Sequence, residues 1–320
     1  MTSFAKTGNG RSAPETCDDD SAARRLVDDM IMDRAPSLAW SPWSPLYRWL
    51  VERMIGYRDL VAIVDQCRRC RSGIELADLI LRKVSPKVTS ANLHHMPAVG
   101  GCILAANHPT GIVDGVALYH QIRGCRRDVS ILAFHDVINI NPAATDVFVP
   151  VEWRASRRDA TKTLYTMACT TRALSAGRAV AIFPSGRLAF WNGLQLCERP
   201  WKSTFVSLAI KYDVPIIPVH IAARNSLAFY ALSQISTELR DICSIREFQN
   251  KNGAPYAITF GRPVRPHELD SDPEAIAAQL QFFVEHVLPK APDAIWDSRE
   301  PSAVEPAARG LWLSRRRALS

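Results

Sequence analysis

His108 and Asp114 stand six positions apart in the segment Ala105-Ala-Asn-His-Pro-Thr-Gly-Ile-Val-Asp-Gly115. An aspartate that accepts from one imidazole nitrogen fixes the ring's tautomer and stabilises its cationic form. The second nitrogen is then left to remove a proton from a hydroxyl. Pro109 and Gly111 suit a tight loop that folds the acid back over the ring, and Asp114 falls at a predicted helix start, where the dipole favours its charge. Taken alone, such a pair is more often a structural contact than a catalytic one. A second segment, Ala181-Ile-Phe-Pro-Ser-Gly-Arg187, runs an apolar stretch into a turn. There Gly186 lets the backbone approach an anion and Arg187 offers a planar donor fork to phosphate or carboxylate, although any strand exit can have this form. A third segment, Val214-Pro-Ile-Ile-Pro-Val219, reads as a buried strand bounded by prolines.

To serve one reaction these residues must reach a common edge of a sheet, and the flanking patterns provide for it. Helical periodicity covers Ile74–Val84, Val113–Ile122, Arg158–Ser175, Lys202–Lys211 and Pro273–Leu288. Gly177 closes the third of these, where a residue past the helix end adopts positive φ. Strand-sized apolar runs cover Gly101–Ala106, Ser130–Phe134, Val147–Val151, Ala179–Phe183, Val214–His220 and Tyr256–Phe260. This alternation predicts an α/β fold with a largely parallel central sheet covered by helices. His108 then sits at the C-terminal edge of the strands, where open α/β folds hold their ligands.

The 320-residue chain is 47% hydrophobic and 22% charged, ordinary values that exclude a wholly disordered protein. Lys plus Arg number 39 against 32 Asp plus Glu, and the balance of +7 suits phosphate, nucleic acid or an anionic membrane surface. No apolar run approaches the roughly 18 residues of a spanning helix. Met1–Arg25 carries Asp18, Asp19 and Asp20 where a secretory signal needs apolar residues, so a cytoplasmic chain with reduced cysteines is expected. Residues 1–35 read as a disordered leader, 36–90 as an aromatic helical segment, 91–290 as the α/β domain and 291–320 as a basic flexible tail. Trp40, Trp43, Tyr47 and Trp49 lie among prolines and lead into an amphipathic helix at Leu46–Met54. Two readings stay open for it: an N-terminal helical lid packed on the core, or an aromatic contact with a membrane surface.

Taken together and in order, the three segments resemble the glycerolipid acyltransferase family (PlsC-like). Asn107, His108 and Asp114 match its first block; Phe183, Pro184, Gly186 and Arg187 its second; Val214, Pro215, Pro218 and Val219 its third. The chain departs from the common pattern in having five residues between His108 and Asp114, and in Ser185 standing where the family has glutamate. It is more similar to a bacterial, hemolysin-like branch, which in turn is similar to O-acyltransferases that complete ornithine lipids. The family's arginine block has no clean counterpart beyond Arg154, Arg157 and Arg158, which read equally as a solvated helix start.

The resemblance implies a glycerol-phosphate acyltransferase-like fold and acyl transfer without an enzyme-bound intermediate. His108 would be the general base and Asp114 its orienting partner. Asn107, Thr110, Gly111, Ser185, Gly186 and Arg187 would bind substrate, with N–H groups around Thr110 and Gly111 facing the thioester oxygen. The donor would be acyl carrier protein or acyl-coenzyme A, with no resident cofactor or metal. The acceptor would be a membrane lysolipid, lyso-ornithine lipid or lysophospholipid, met at the cytoplasmic face of the inner membrane by a peripheral protein. The alternatives it leaves are a 1-acylglycerol-3-phosphate acyltransferase and a non-catalytic, hemolysin-like lipid-binding protein.

Other chemistries lack their signatures. Cys67-Arg-Arg-Cys70 is half a zinc site without a second half. No Gly-X-Ser-X-Gly elbow and no phosphate-binding Gly-X-X-X-X-Gly-Lys loop occurs. The basic residues are dispersed, without the aromatic interleaving of a nucleic-acid surface.

Overall fold

The apolar run Cys102–Ala106 forms β2, and all five of its residues are buried. A strand buried on both faces needs a helical layer above and below, and the side chains of β2 divide accordingly. Cys102, Leu104 and Ala106 enter one core, while Ile103 and Ala105 enter the other. The structure is a computed structural model that describes residues 16–37, 44–152, 159–192, 196–269 and 272–298.

Seven strands make the central sheet. Besides β2 they are β1 (Lys87–Ala91), β3 (Val129–Phe134), β4 (Phe148–Val151), β5 (Ala179–Ile182), β8 (Ile216–Ala222) and β9 (Pro255–Phe260), in the order β1-β9-β8-β2-β5-β3-β4. The run β8-β2-β5-β3-β4 is parallel throughout. At one side β9 turns antiparallel to β8, and β1 follows it parallel. A short hairpin, β6 (Phe190–Trp191) and β7 (Leu196–Cys197), stands outside the sheet. The expected α/β architecture is therefore the observed one, with an antiparallel junction near one edge.

Helices α4 (Gly73–Val84) and α5 (Ile112–Ile122) supply the first core with Leu76, Ile80, Val116 and Tyr119. Helices α7 (Ala160–Ser175), α8 (Thr204–Tyr212) and α11 (Pro273–Phe282), the last running on into a π-helical turn at Phe283–Val287, supply the second. Asp159, Ser72 and Asp272 cap three of these helices through side-chain acceptors, satisfying N–H groups left over at the first turn. A five-residue helix, α6 (Asp136–Ile140), follows β3.

The N-terminal region differs from expectation. Thr16–Arg34, read as part of a disordered leader, is a helix, α1. Its Ala23, Val27 and Ile31 are buried in a third core with α2 (Ser44–Ile55), α3 (Tyr57–Arg68) and α10 (Thr237–Gln249). Arg34, also buried, pairs with Asp136 at 2.9 Å and locks α1 to α6. Residues 1–15 of that reading lie outside the described residues, as do Trp40, Trp43, Arg154, Arg157 and Arg158. The tail reading changes as well, because Trp296 is buried in the second core; residues 299–320 are not described. On α2, Val51 and Ile55 pack inward while Leu46, Trp49 and Leu50 remain exposed.

Candidate active site

The strand β2 ends at Ala106, and the next residue fixes the exit of the chain. Asn107 turns both ends of its amide to one partner: its Nδ2 donates to the Ile221 carbonyl at 3.0 Å, and its Oδ1 accepts from the Ile221 N–H at 2.6 Å. Side chain thus substitutes for backbone where the β2–β8 ladder stops. Asn107 thereby positions the loop, with one of its two Nδ2 hydrogens and its Oδ1 engaged by Ile221.

Beyond it His108 turns its ring toward Asp114. Nδ1 lies 2.9 Å from Oδ2 of Asp114, and the Phe183 ring stacks on the imidazole with centroids 4.2 Å apart. Asp114 is fully buried. Its Oδ2 also accepts from the backbone N–H groups of Thr110 at 2.8 Å and Gly111 at 2.9 Å, and its Oδ1 accepts from the Thr110 hydroxyl. The hydroxyl of Tyr256, on β9, lies 2.7 Å from that of Thr110. A buried carboxylate needs donors of this number to offset its lost hydration. Gly111 adopts φ 112° and ψ −131°, a backbone conformation open to glycine and closed to residues with a Cβ, and this bend aims its N–H at the acid. The five-residue interval between His108 and Asp114 therefore closes into a loop around one carboxylate. The N–H groups of Thr110 and Gly111, expected to face a thioester oxygen, are committed to Asp114 instead.

The second segment approaches from β5. Phe183, Pro184, Ser185 and Gly186 form a turn closed by the Gly186 N–H donating to the Phe183 carbonyl at 2.9 Å, with Gly186 at φ 61°. Ser185 is buried, and its hydroxyl donates to the Arg187 carbonyl at 2.9 Å, so it shapes the turn. Gly186 is exposed and lies under the Lys202 ammonium; a Cβ built there would stand 3.5 Å from Nζ. Arg187 is partly buried beside it. Of the residues expected to bind substrate in this turn, Gly186 and Arg187 lie at a surface and Ser185 does not.

Two further residues at the site had no signal in any short motif. Glu198, just after β7, accepts from the backbone N–H of His108 through Oε1 and from the Trp201 indole N–H at 2.9 Å through Oε2. Burial in protein mass, then the nearby Glu285 carboxyl, push its acid up to about 8. Gln281 of α11 steadies the same stretch, accepting from the Trp201 N–H at 2.9 Å while donating to Glu285 at 2.7 Å. Tyr256 is the second, and burial and the Asp114 charge raise its phenol well above the usual range.

The arrangement brings a histidine with a buried aspartate on Nδ1 to the C-terminal edge of a parallel sheet, partly open to solvent, with a basic turn beside it. It can remove a proton from a hydroxyl next to an anionic or thioester-bearing ligand. The family model described as Acyltransferase matches residues 87–222, from β1 to the end of β8, and takes in all three sequence segments. A lyso-glycine lipid O-acyltransferase of Phocaeicola vulgatus is 25% identical over 258 residues, covering 76% of this chain and 89% of that protein. The protein of the same name from Bacteroides thetaiotaomicron is 22% identical over 261 residues, covering 77% and 90%. Among solved structures, the 1-acyl-sn-glycerophosphate acyltransferase PlsC from Thermotoga maritima aligns with a TM-score of 0.44 and 15% identity over 79% of this chain and 99% of that one.

Proposed function

We propose that this chain, whose residues 87–222 match the Acyltransferase family model and which is similar to two lipid O-acyltransferases, moves a fatty-acyl group from a thioester to the hydroxyl of a membrane lysolipid, with His108 as general base. The observation that carries the base assignment is the 2.9 Å contact between His108 Nδ1 and Asp114. It leaves Nε2 as the ring's remaining proton acceptor. Nε2 takes the hydroxyl proton as the acceptor oxygen attacks the thioester carbonyl carbon. Collapse of the tetrahedral intermediate breaks the C–S bond, and the imidazolium returns the proton to the leaving sulfur. The products are an ester and the free thiol of acyl carrier protein or coenzyme A.

The acceptor class we favour is the hydroxy-acyl amide of an amino acid, to which lyso-ornithine and lyso-glycine lipids both belong. The names of the two relatives support it, and so does Ser185 at the place of the glutamate usual in glycerol-phosphate enzymes. We further propose peripheral docking at the cytoplasmic face of the inner membrane. Leu46, Trp49 and Leu50 on α2, and Leu227 and Ile235 on α9 (Leu227–Ile235), are exposed apolar groups that favour a lipid interface. Among the described residues, no helix is long and apolar enough to cross a membrane.

The test is transfer of labelled acyl groups, from acyl carrier protein and from coenzyme A in separate reactions, to lyso-glycine lipid, lyso-ornithine lipid and lysophosphatidate. Label is expected in the amino-acid lipids, and His108→Ala should lower the rate by about 10² to 10⁴. Preference for lysophosphatidate would overturn the acceptor assignment, and an unimpaired His108→Ala variant would overturn the base.

A further inference from the structure

Both main-chain polar groups of His108 are held by one stretch of chain that is remote in sequence. Its N–H donates to the Glu198 carboxylate, and its carbonyl accepts from the Ala189 N–H at 3.0 Å. Nothing within the loop 107–114 performs either task, since the loop's own donors at Thr110 and Gly111 serve Asp114. The imidazole is therefore fixed at two points: Asp114 holds the ring, and Ala189 and Glu198 hold the peptide from which the ring projects.

We propose that Glu198 is a positioning residue for His108, holding its backbone so that Nε2 points at the acceptor hydroxyl. The inference rests on the reading of His108 as general base. Three features of the surroundings fit a carboxylate committed to this duty. Each oxygen of Glu198 has its own N–H donor, the His108 amide and the Trp201 indole. Trp201 is in turn packed in the second core, edge-on to Phe205 with centroids 5.8 Å apart, so the arm that carries Glu198 is anchored. Gln281 ties the neighbouring backbone to α11 through the Trp201 N–H and the Arg199 carbonyl. A reacting group displaced by about 1 Å can lose about 10²-fold in rate, so a hold on the peptide is a hold on catalysis.

The titratable groups around Glu198 are Glu285 from the π-helical turn, Asp114 from α5, and His108 itself. The first two are acids that resist its ionisation, and the two N–H donors favour it. As a neutral acid Glu198 accepts fully through one oxygen only; ionised, it accepts fully through both. Its grip on His108 accordingly tightens as it loses its proton, and the rate constant for transfer should rise with pH across that ionisation.

The experiment compares the full-length parent with Glu198→Gln, Glu198→Asp and His108→Ala in acyl transfer from one thioester donor, over pH 6 to 9, with near-ultraviolet circular dichroism to establish folding. Glu198→Gln presents an amide NH₂ to one of the two N–H donors. The expected result is a fall in kcat of about 10- to 100-fold with KM within about twofold, and disappearance of the rise in kcat near pH 8. Glu198→Asp keeps the carboxylate on a shorter arm and should recover part of kcat together with the pH-dependent rise; if the glutamine variant does not fold, the aspartate variant is read by the same kcat-against-KM split. A glutamine variant with parental kcat and pH profile, or a loss confined to KM, overturns the proposal. Transfer at the parental rate in His108→Ala overturns the base assignment instead, which separates the two failures.

Discussion

Asp114 satisfies four donors with two oxygens: the His108 ring, the Thr110 and Gly111 amides, and the Thr110 hydroxyl. Asp114→Asn keeps the volume but removes one acceptor oxygen, and an NH₂ at the Oδ2 position meets the Thr110 and Gly111 backbone N–H groups, which can only donate. The exchange should cost about 1–3 kcal/mol of stability for the unsatisfied buried donors, and about 10² to 10⁴ in kcat for the lost tautomer control. Urea unfolding and single-turnover transfer measure the two separately; a variant with parental kcat would remove Asp114 from the mechanism. At this scale the sequence was readable where chemistry is local. His108, Asp114 and Gly111 share one short loop, so their types and spacing foretold the contact. Glu198 and Tyr256 reach the same loop from positions 90 and 146 residues from their partners, and no local pattern marks them. Thr110, Gly111 and Asn107 also meet a demand that their spacing does not display, since a buried acid and a terminating strand need hydrogen bonds of their own.

Among the elements, the strands with continuous apolar runs were legible because burial on both faces leaves no polar alternation. The edge strand β1, Lys-Val-Thr-Ser-Ala, is largely exposed and carried no such run. Helix α1 was hidden for a related reason. Its fully buried stripe is narrow, Ala23, Val27 and Ile31 at a spacing of four, and aspartates and arginines are interspersed along the rest of the helix. Its importance is testable at Ile31, which is buried against α3 and α10. Ile31→Ala should destabilise the protein by about 2–5 kcal/mol and lower its melting temperature, while transfer by the folded fraction at low temperature stays near parental. An unchanged melting temperature would mean that α1 is not part of the native core.

For the whole molecule, two partly buried groups set opposing pH slopes. Burial holds the His220 ring down to about 4 from 6.5, so between those values the unfolded chain binds the more protons and stability rises with pH. Glu198 is raised from 4.5 to about 8, so between those values the folded chain binds the more protons and stability falls with pH. The slopes oppose one another where the windows overlap. Above 6.5 the Glu198 contribution stands without His220, and the melting temperature should decline toward pH 8. Glu198→Gln should flatten that decline in a thermal melt series; an unaltered slope would assign it to other groups. Conditions that favour the ionised carboxylate thus work against the fold that houses it.

The way the catalytic loop is tethered also carries a kinetic consequence. Asn107 waits for Ile221, His108 for Glu198, and Thr110 for Tyr256, at separations of 114, 90 and 146 residues. Closing loops of that length is slow, and contacts between remote segments form late. While the chain is being made, the histidine loop emerges long before the partners that shape it. A nascent chain that stops short of β9 holds every residue of the His–Asp pair and lacks part of what holds it in place, so competence for transfer should arrive only once β9 has been made.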